Sequence, residues 1–237
     1  MNRKQLYVVI PARNEEAAIA HVIHQVPRNF SSLLHVTVLI VDDGSTDQTV
    51  AEALASGADV IYTMPVSSGL GAAVRSGLAE AYRRGADYVV LIDADNEYPA
   101  GQIPDLVAPL LTEEADYVMG SRFMGTIKGM KWHRRLGNYL FTFLQMILLR
   151  QRLQDGQTGM RAFNRGALAD VEIIHDYNYA QVMTLNLVRK GYRMKEIPIH
   201  YQVRTTGASF IRFVPYMTSV LSAICKEMFR KQDRSLR

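Results

Sequence analysis

Short apolar runs alternate along this chain with longer stretches whose apolar residues recur at helical spacing. Residues 6–10, closed by Pro11, and 36–41 read as strands buried on both faces, and 59–63 as a shorter one. Between them, 15–25 carries a helical pattern with Asn14 as its cap. Ser45 and Gln48 have the spacing of a capping box that starts a helix near Thr46 and runs it to Ser56. Residues 70–84 form a third helix, 88–92 a further strand, and Pro104 stands at a first helical turn. Later, 136–149, 178–190 and 213–225 read as helices and 194–203 as a strand that delivers Arg204 to a cleft. Strands separated by helices are βαβ units, so the fold class is α/β: a mostly parallel, right-handed, Rossmann-like sheet covered on both faces by helices. No tract marks a linker and no repeat is visible, so residues 1–237 are expected to form a single domain.

The strand at 88–92 ends in Asp93-Ala94-Asp95. In an extended chain residues i and i+2 point to one side, and ligands of open α/β sheets gather at the carboxyl ends of strands. Asp93 and Asp95 are therefore expected to project together into a cleft, with Glu97 as a third same-side donor. Carboxylates sharing a site repel one another unless a cation lies between them. A divalent ion held by one or two carboxylates plus substrate phosphates is the usual Mg²⁺ arrangement. The bland alternative is a strand that ends in a solvated acidic turn.

Composition narrows this picture. The chain has 237 residues, 48% hydrophobic and 21% charged, which suits a globular domain. Its net charge of +4 is modest, but Lys128, Lys131, Arg134 and Arg135 cluster, as do basic residues at the C-terminus. That pattern suits anionic ligands or an anionic membrane surface, and no nucleic-acid-binding motif appears. The lone Cys225 excludes an intrachain disulfide, and Arg3 and Lys4 lead straight into a strand rather than a signal peptide, which together fit a cytoplasmic protein. Of the histidines, His21, His24, His133, His175 and His200 show no metal-ligand spacing. Gly69-Leu-Gly71 opens like a dinucleotide fingerprint, but Val74 stands where the third glycine belongs. It reads instead as a glycine-rich helix entry, serving either a nucleotide's close approach or a plain turn.

Taken together, Pro11-Ala-Arg13-Asn-Glu15, Val41-Asp-Asp43-Gly-Ser-Thr-Asp47, Gly69-Leu-Gly71, Asp93-Ala94-Asp95 and Gly120-Ser-Arg122 resemble glycosyltransferase family 2 in content and order. Asp155-Gly-Gln-Thr-Gly159-Met-Arg161 and Arg204-Thr-Thr-Gly207-Ala-Ser209 are similar to segments of its dolichyl-phosphate mannose synthase and polyprenyl-phosphate glycosyltransferase branch. The resemblance implies a GT-A fold, a nucleotide-sugar donor carrying GDP or UDP, a Mg²⁺ or Mn²⁺ ion, and inversion at the anomeric carbon. It implies a nucleotide-sugar and metal-binding half at 1–125 and an acceptor-binding half at 126–237. It places Pro11, Arg13 and Glu15 at the lip of the nucleotide pocket, Asp43 near base and ribose, and Asp93, Ala94 and Asp95 in the metal motif. Glu97 stands where the branch often has Gln. Arg122 and Arg204 would bind phosphates, and Arg134 and Asn138 fall near the acceptor phosphate, the latter where the family has Ser. Phe210 replaces a Lys.

Arginine suits such a site because its planar fork binds two phosphate oxygens at once. The acceptor turns on whether a general base is present. A hydroxyl must lose a proton as it attacks, and Asp155 is the candidate base for that case. A polyprenyl phosphate needs cations and no base, and the basic loop at 122–135, with Lys131, Arg134 and Arg135, favours it. The helices at 136–149 and 213–225 are shorter than the roughly 20 residues that cross a bilayer, and both have basic flanks. They are expected either to lie on the membrane surface, as two helices of this branch do, or to bury each other or form a homodimer interface. A sugar nucleotidyltransferase is the less favoured alternative, because no glycine-rich N-terminal phosphate loop is present; a non-catalytic nucleotide-binding protein is another.

Overall fold

The structure, a computed structural model, describes residues 3–175, 179–204 and 222–230. Seven strands form one sheet: β1 (Lys4–Ala12), β2 (Leu34–Asp42), β3 (Val60–Thr63), β4 (Tyr88–Leu91), β5 (Tyr117–Lys128), β6 (Arg161–Asn164) and β7 (Met194–Gln202). Helices among the described residues include α1 (Ile19–Gln25), α2 (Thr49–Ala55), α3 (Leu70–Arg83), α4 (Ile103–Leu111), α5 (Trp132–Leu149), α6 (Arg165–Asp170) and α7 (Ala180–Arg189). The strand order is β3-β2-β1-β4-β6-β5-β7. β1, β2, β3 and β4 pair in parallel, β6 runs antiparallel between β4 and β5, and β7 returns parallel to β5.

Alternate residues of β1 supply two separate cores. Leu6, Val8 and Ile10 pack with α1 and α4, whereas Tyr7 and Val9 pack with α3 and α7. Burial on both faces explains why these strands read as continuous apolar runs. Between β1 and β4 the strand order reverses, so a crevice is expected outside their carboxyl ends, where Ala12 and Leu91 stop.

Three local expectations are corrected. First, Ser45 and Asn14 do not cap helices: α2 begins at Thr49 and α1 at Ile19. Their polar groups instead stitch the loops after β1 and β2 together. The Asn14 amide donates to Ser45 Oγ at 3.1 Å, Thr46 N–H donates to Asn14 Oδ1 at 2.9 Å, and Glu15 N–H donates to Thr49 Oγ1 at 2.8 Å. Short polar side chains bond nearby backbone wherever the fold presents it. Second, residues 122–135 are not a basic loop, because β5 runs through Lys128 and α5 starts at Trp132 after a turn at Gly129, φ +80°. Third, residues 205–221, which carry most of the expected helix 213–225, lie outside the described residues; 222–229 are helical. On α5, Phe141, Thr142 and Gln145 are buried while Leu136, Tyr139, Leu140, Phe143 and Ile147 are exposed.

Candidate active site

The chain leaves the sheet after Leu91 and does not stay extended. Residues 94–98 turn, with Asn96 at φ +59° and the Glu97 amide donating to Asp95 Oδ1 at 3.1 Å. This corrects the premise of simple alternation: it is the turn that brings the acidic side chains together. Glu15, from the loop after β1, joins them. Arg204 Nη1 reaches between, 3.5 Å from Glu15 Oε1 and 3.8 Å from Asp95 Oδ2. A cavity of about 920 Å³ opens beside this cluster and is lined by Asp95, Glu97, Lys128, His200 and Arg204.

Glu97, expected as a third ligand, makes several contacts within the protein. Tyr201 Oη donates to its Oε2 at 2.6 Å, the Arg204 amide donates to its Oε1 at 3.3 Å, and its carbonyl accepts from Gln202 N–H at 3.0 Å. It therefore latches the end of β7, with Arg204, onto the acidic turn. Among the described residues, no three Asp, Glu, His or Cys side chains converge as an ion's ligands.

Burial, then the charges of Asp95 and Glu97, push the Asp93 carboxyl above its usual range; Arg161 and Arg122 pull it back. Asp95 is raised by burial and by Glu97, and Glu15 by burial and by Asp95. Such a cluster of hard oxygens, whose mutual repulsion a cation would relieve, fits Mg²⁺ or Mn²⁺, with substrate phosphates supplying further oxygens.

Asp93 has room only because position 159 is glycine, where a Cβ would overlap its carboxylate. The Gly159 amide donates to Tyr98 Oη at 3.0 Å. Arg161 is fully buried and donates to the Thr158 carbonyl at 2.9 Å and to Thr184 Oγ1 at 2.8 Å. Arg122, the last fully enclosed residue of β5, forms a forked ion pair with Asp155, with Nε to Oδ2 at 2.6 Å and Nη2 to Oδ1 at 2.7 Å. Its backbone amide also donates to Asp155 Oδ2, and the Gln157 amide to Oδ1. Asp155 is fully buried.

The other expected residues are placed as follows. Pro11 is buried in β1 opposite Val41, and Arg13 is exposed in the loop beyond. Asp43 is buried and accepts from Ser68 N–H at 2.7 Å and Gly69 N–H at 3.0 Å, so it shapes the glycine-rich entry to α3. Ala94 is buried between the two aspartates. Arg134 and Asn138 sit four residues apart near the start of α5, and neither lines the cavity at Asp95. Tyr98, Glu196 and Tyr201 are site residues that carried no sequence signal, whereas Gly159 and Arg161 were marked only as part of the 155–161 segment, with no role of their own.

The profile of glycosyl transferase family 2 matches residues 7–172. The dolichyl-phosphate hexose transferase of Haloferax volcanii is 32% identical over 199 residues, covering 84% of this chain and 83% of that protein. The UDP-N-acetylglucosamine–dolichyl-phosphate N-acetylglucosaminyltransferase of Methanococcus voltae is 30% identical over 186 residues, 71% of this chain and 72% of that one. Among solved structures, glucosyl-3-phosphoglycerate synthase from Mycobacterium tuberculosis, crystallised with Mn²⁺, uridine diphosphate and glucosyl-3-phosphoglycerate, superposes with a TM-score of 0.73. It is 25% identical, with 97% of this chain and 82% of that chain covered. The GT-A-like sheet expected from the motifs is thereby borne out.

Proposed function

Because the chain belongs to glycosyltransferase family 2, we propose that it moves one sugar from a GDP- or UDP-sugar to a polyprenyl phosphate, with inversion and with Mg²⁺ or Mn²⁺. The observation that carries the acceptor half is the state of Asp155. Its two oxygens accept four hydrogen bonds, from Arg122 N, Nε and Nη2 and from Gln157 N. A hydroxyl acceptor needs a base within reach, and this carboxylate is already committed. A lipid phosphate is an anion at neutral pH and needs only positioning charge. The relatives named for dolichyl phosphate point the same way.

In this reading Asp93 and Asp95 hold the cation, which when bound stabilises charge growing on the departing diphosphate. Arg204, fixed beside Asp95 by the Glu97 latch, serves the same diphosphate from the other side. Arg122 is pre-aimed by Asp155, Glu15 and Arg13 edge the nucleotide pocket, and Asp43 keeps its glycine-rich wall in shape. Arg134 and Asn138, on the first turns of α5, meet the acceptor phosphate at the membrane, where the exposed apolar side of α5 rests on the cytoplasmic leaflet. No helix among the described residues is long and apolar enough to cross a membrane. A second reading, a soluble phosphorylated acceptor, is favoured by the neighbour that holds glucosyl-3-phosphoglycerate.

The test is a matrix of labelled GDP- and UDP-sugars against undecaprenyl phosphate, dolichyl phosphate and phosphoglycerate, each with Mn²⁺ or EDTA. A chelator-sensitive labelled lipid supports the proposal. Label only in phosphoglycerate overturns its acceptor half.

A further inference from the structure

Glu196 lies on β7, eight residues before Arg204, and is absent from every motif that marks the site. Its two carboxylate oxygens accept hydrogen bonds from adjacent backbone amides, Oε1 from Asp155 N–H and Oε2 from Gln154 N–H, each at 2.8 Å. These amides begin the loop whose next contact is the forked pair between Asp155 and Arg122. The same loop is held from the α5 side, where the Gly156 amide donates to Thr142 Oγ1 at 3.1 Å, and a Cβ at Gly156 would overlap Gln145 Oε1.

A carboxylate that is partly buried and held by neutral groups, the two amides and the Ser121 hydroxyl, with no cation on it among the described residues, is costly unless its position matters, since burial also pushes its carboxyl above the usual range. An apolar residue would fill the place at less cost if nothing depended on the two amides. We infer that Glu196 is a positioning residue for the transfer reaction: its two-point grip on residues 154 and 155 sets the Asp155 carboxylate, and through it the direction of the Arg122 guanidinium. β7 then delivers both cations of the site, Arg204 at its end and Arg122 by way of Glu196. This rests on the reading of Arg122 as a phosphate-binding cation, but not on which acceptor is used.

Glu196→Gln tests it, because the amide keeps one acceptor and turns a donor towards the other N–H. The expected result is a fall in kcat of about tenfold or more, the size usual for outer partners of active-site groups. Faster hydrogen exchange at the Gln154 and Asp155 amides should accompany it. In an Arg122→Lys background, where the fork is already lost, the same change should cost less than threefold, as coupled residues require. Glu196→Asp, which keeps both acceptors on a shorter stem, should recover part of the rate. A Gln variant within twofold of the parent rate, or one whose loss is the same in both backgrounds, overturns the inference. The assay uses whichever acceptor the parent enzyme takes, so failure of the polyprenyl-phosphate reading leaves this comparison standing, and the exchange measurement needs no acceptor at all.

Discussion

Asp155 shows how little a buried ion pair tolerates the loss of one partner. Its removal would leave the Arg122 guanidinium enclosed without a counter-charge, so Asp155→Ala should lower unfolding free energy by about 3–5 kcal/mol in urea titrations. Gly159→Ala should act differently. Its methyl group would press on the Asp93 carboxylate, so metal-dependent activity should drop by about a hundredfold or more while the fold persists, as seen by circular dichroism. The raised carboxyls of Asp93, Asp95 and Glu15 set a pH dependence of known sign. Stability contributed by a carboxyl whose folded value is raised is present below its unfolded value and lost as pH climbs through the folded one. The metal-free protein should therefore lose stability at this cluster between mildly acidic and neutral pH. Mn²⁺ should raise Tm more at neutral than at mildly acidic pH, and Asp95→Asn should shrink that difference in thermal scans. Asp93 and Asp95 were legible in the sequence because two acids spaced i, i+2 at the end of an apolar run have the pattern of a metal pair. Tyr98 was not, and Gly159 and Arg161 were visible only as members of a motif, because what they do lies in long-range contacts such as that of Gly159 with Tyr98, sixty-one positions away.

Elements explain the next layer. The parallel strands β1, β2 and β4 were visible as apolar runs because both faces are buried. The second half of β5, from Arg122 to Lys128, reads as part of a basic loop because beyond Arg122 it leaves the core, alternating half-buried and exposed residues with a charge at each end. β6 is four residues long and antiparallel, inserted between β4 and β5, an arrangement that no local pattern encodes. α5 was legible as an apolar helix, but which side faces outward was not. Its exposed residues Leu140, Phe143 and Ile147 define the surface expected to meet lipid. Phe143→Glu should abolish co-sedimentation with anionic liposomes and leave transfer to a detergent-dispersed acceptor within a few-fold. Equal sedimentation of variant and parent would instead favour a homodimer contact at this face.

At the scale of the whole molecule, one sheet carries the entire arrangement. The reversal of strand order between β1 and β4 opens the crevice, β4 supplies the acidic turn, and β5 and β7 bring Arg122 and Arg204 across from it. The family resemblance was readable because these contributions fall in a fixed order along the chain. The loop-to-loop bonding of 14–16 with 45–49 was not readable, since Asn14 and Ser45 each also had a local alternative as a helix cap. The claim on which the account depends is that Asp93 and Asp95 together hold a divalent cation against the diphosphate of an activated sugar. Isothermal titration of Mn²⁺ into the protein saturated with UDP or GDP, for the parent and for Asp93→Ala and Asp95→Ala, tests it most directly. The account predicts one equivalent of nucleotide-dependent Mn²⁺ binding that both substitutions weaken by about a hundredfold or more; unchanged Mn²⁺ affinity in either variant would contradict it.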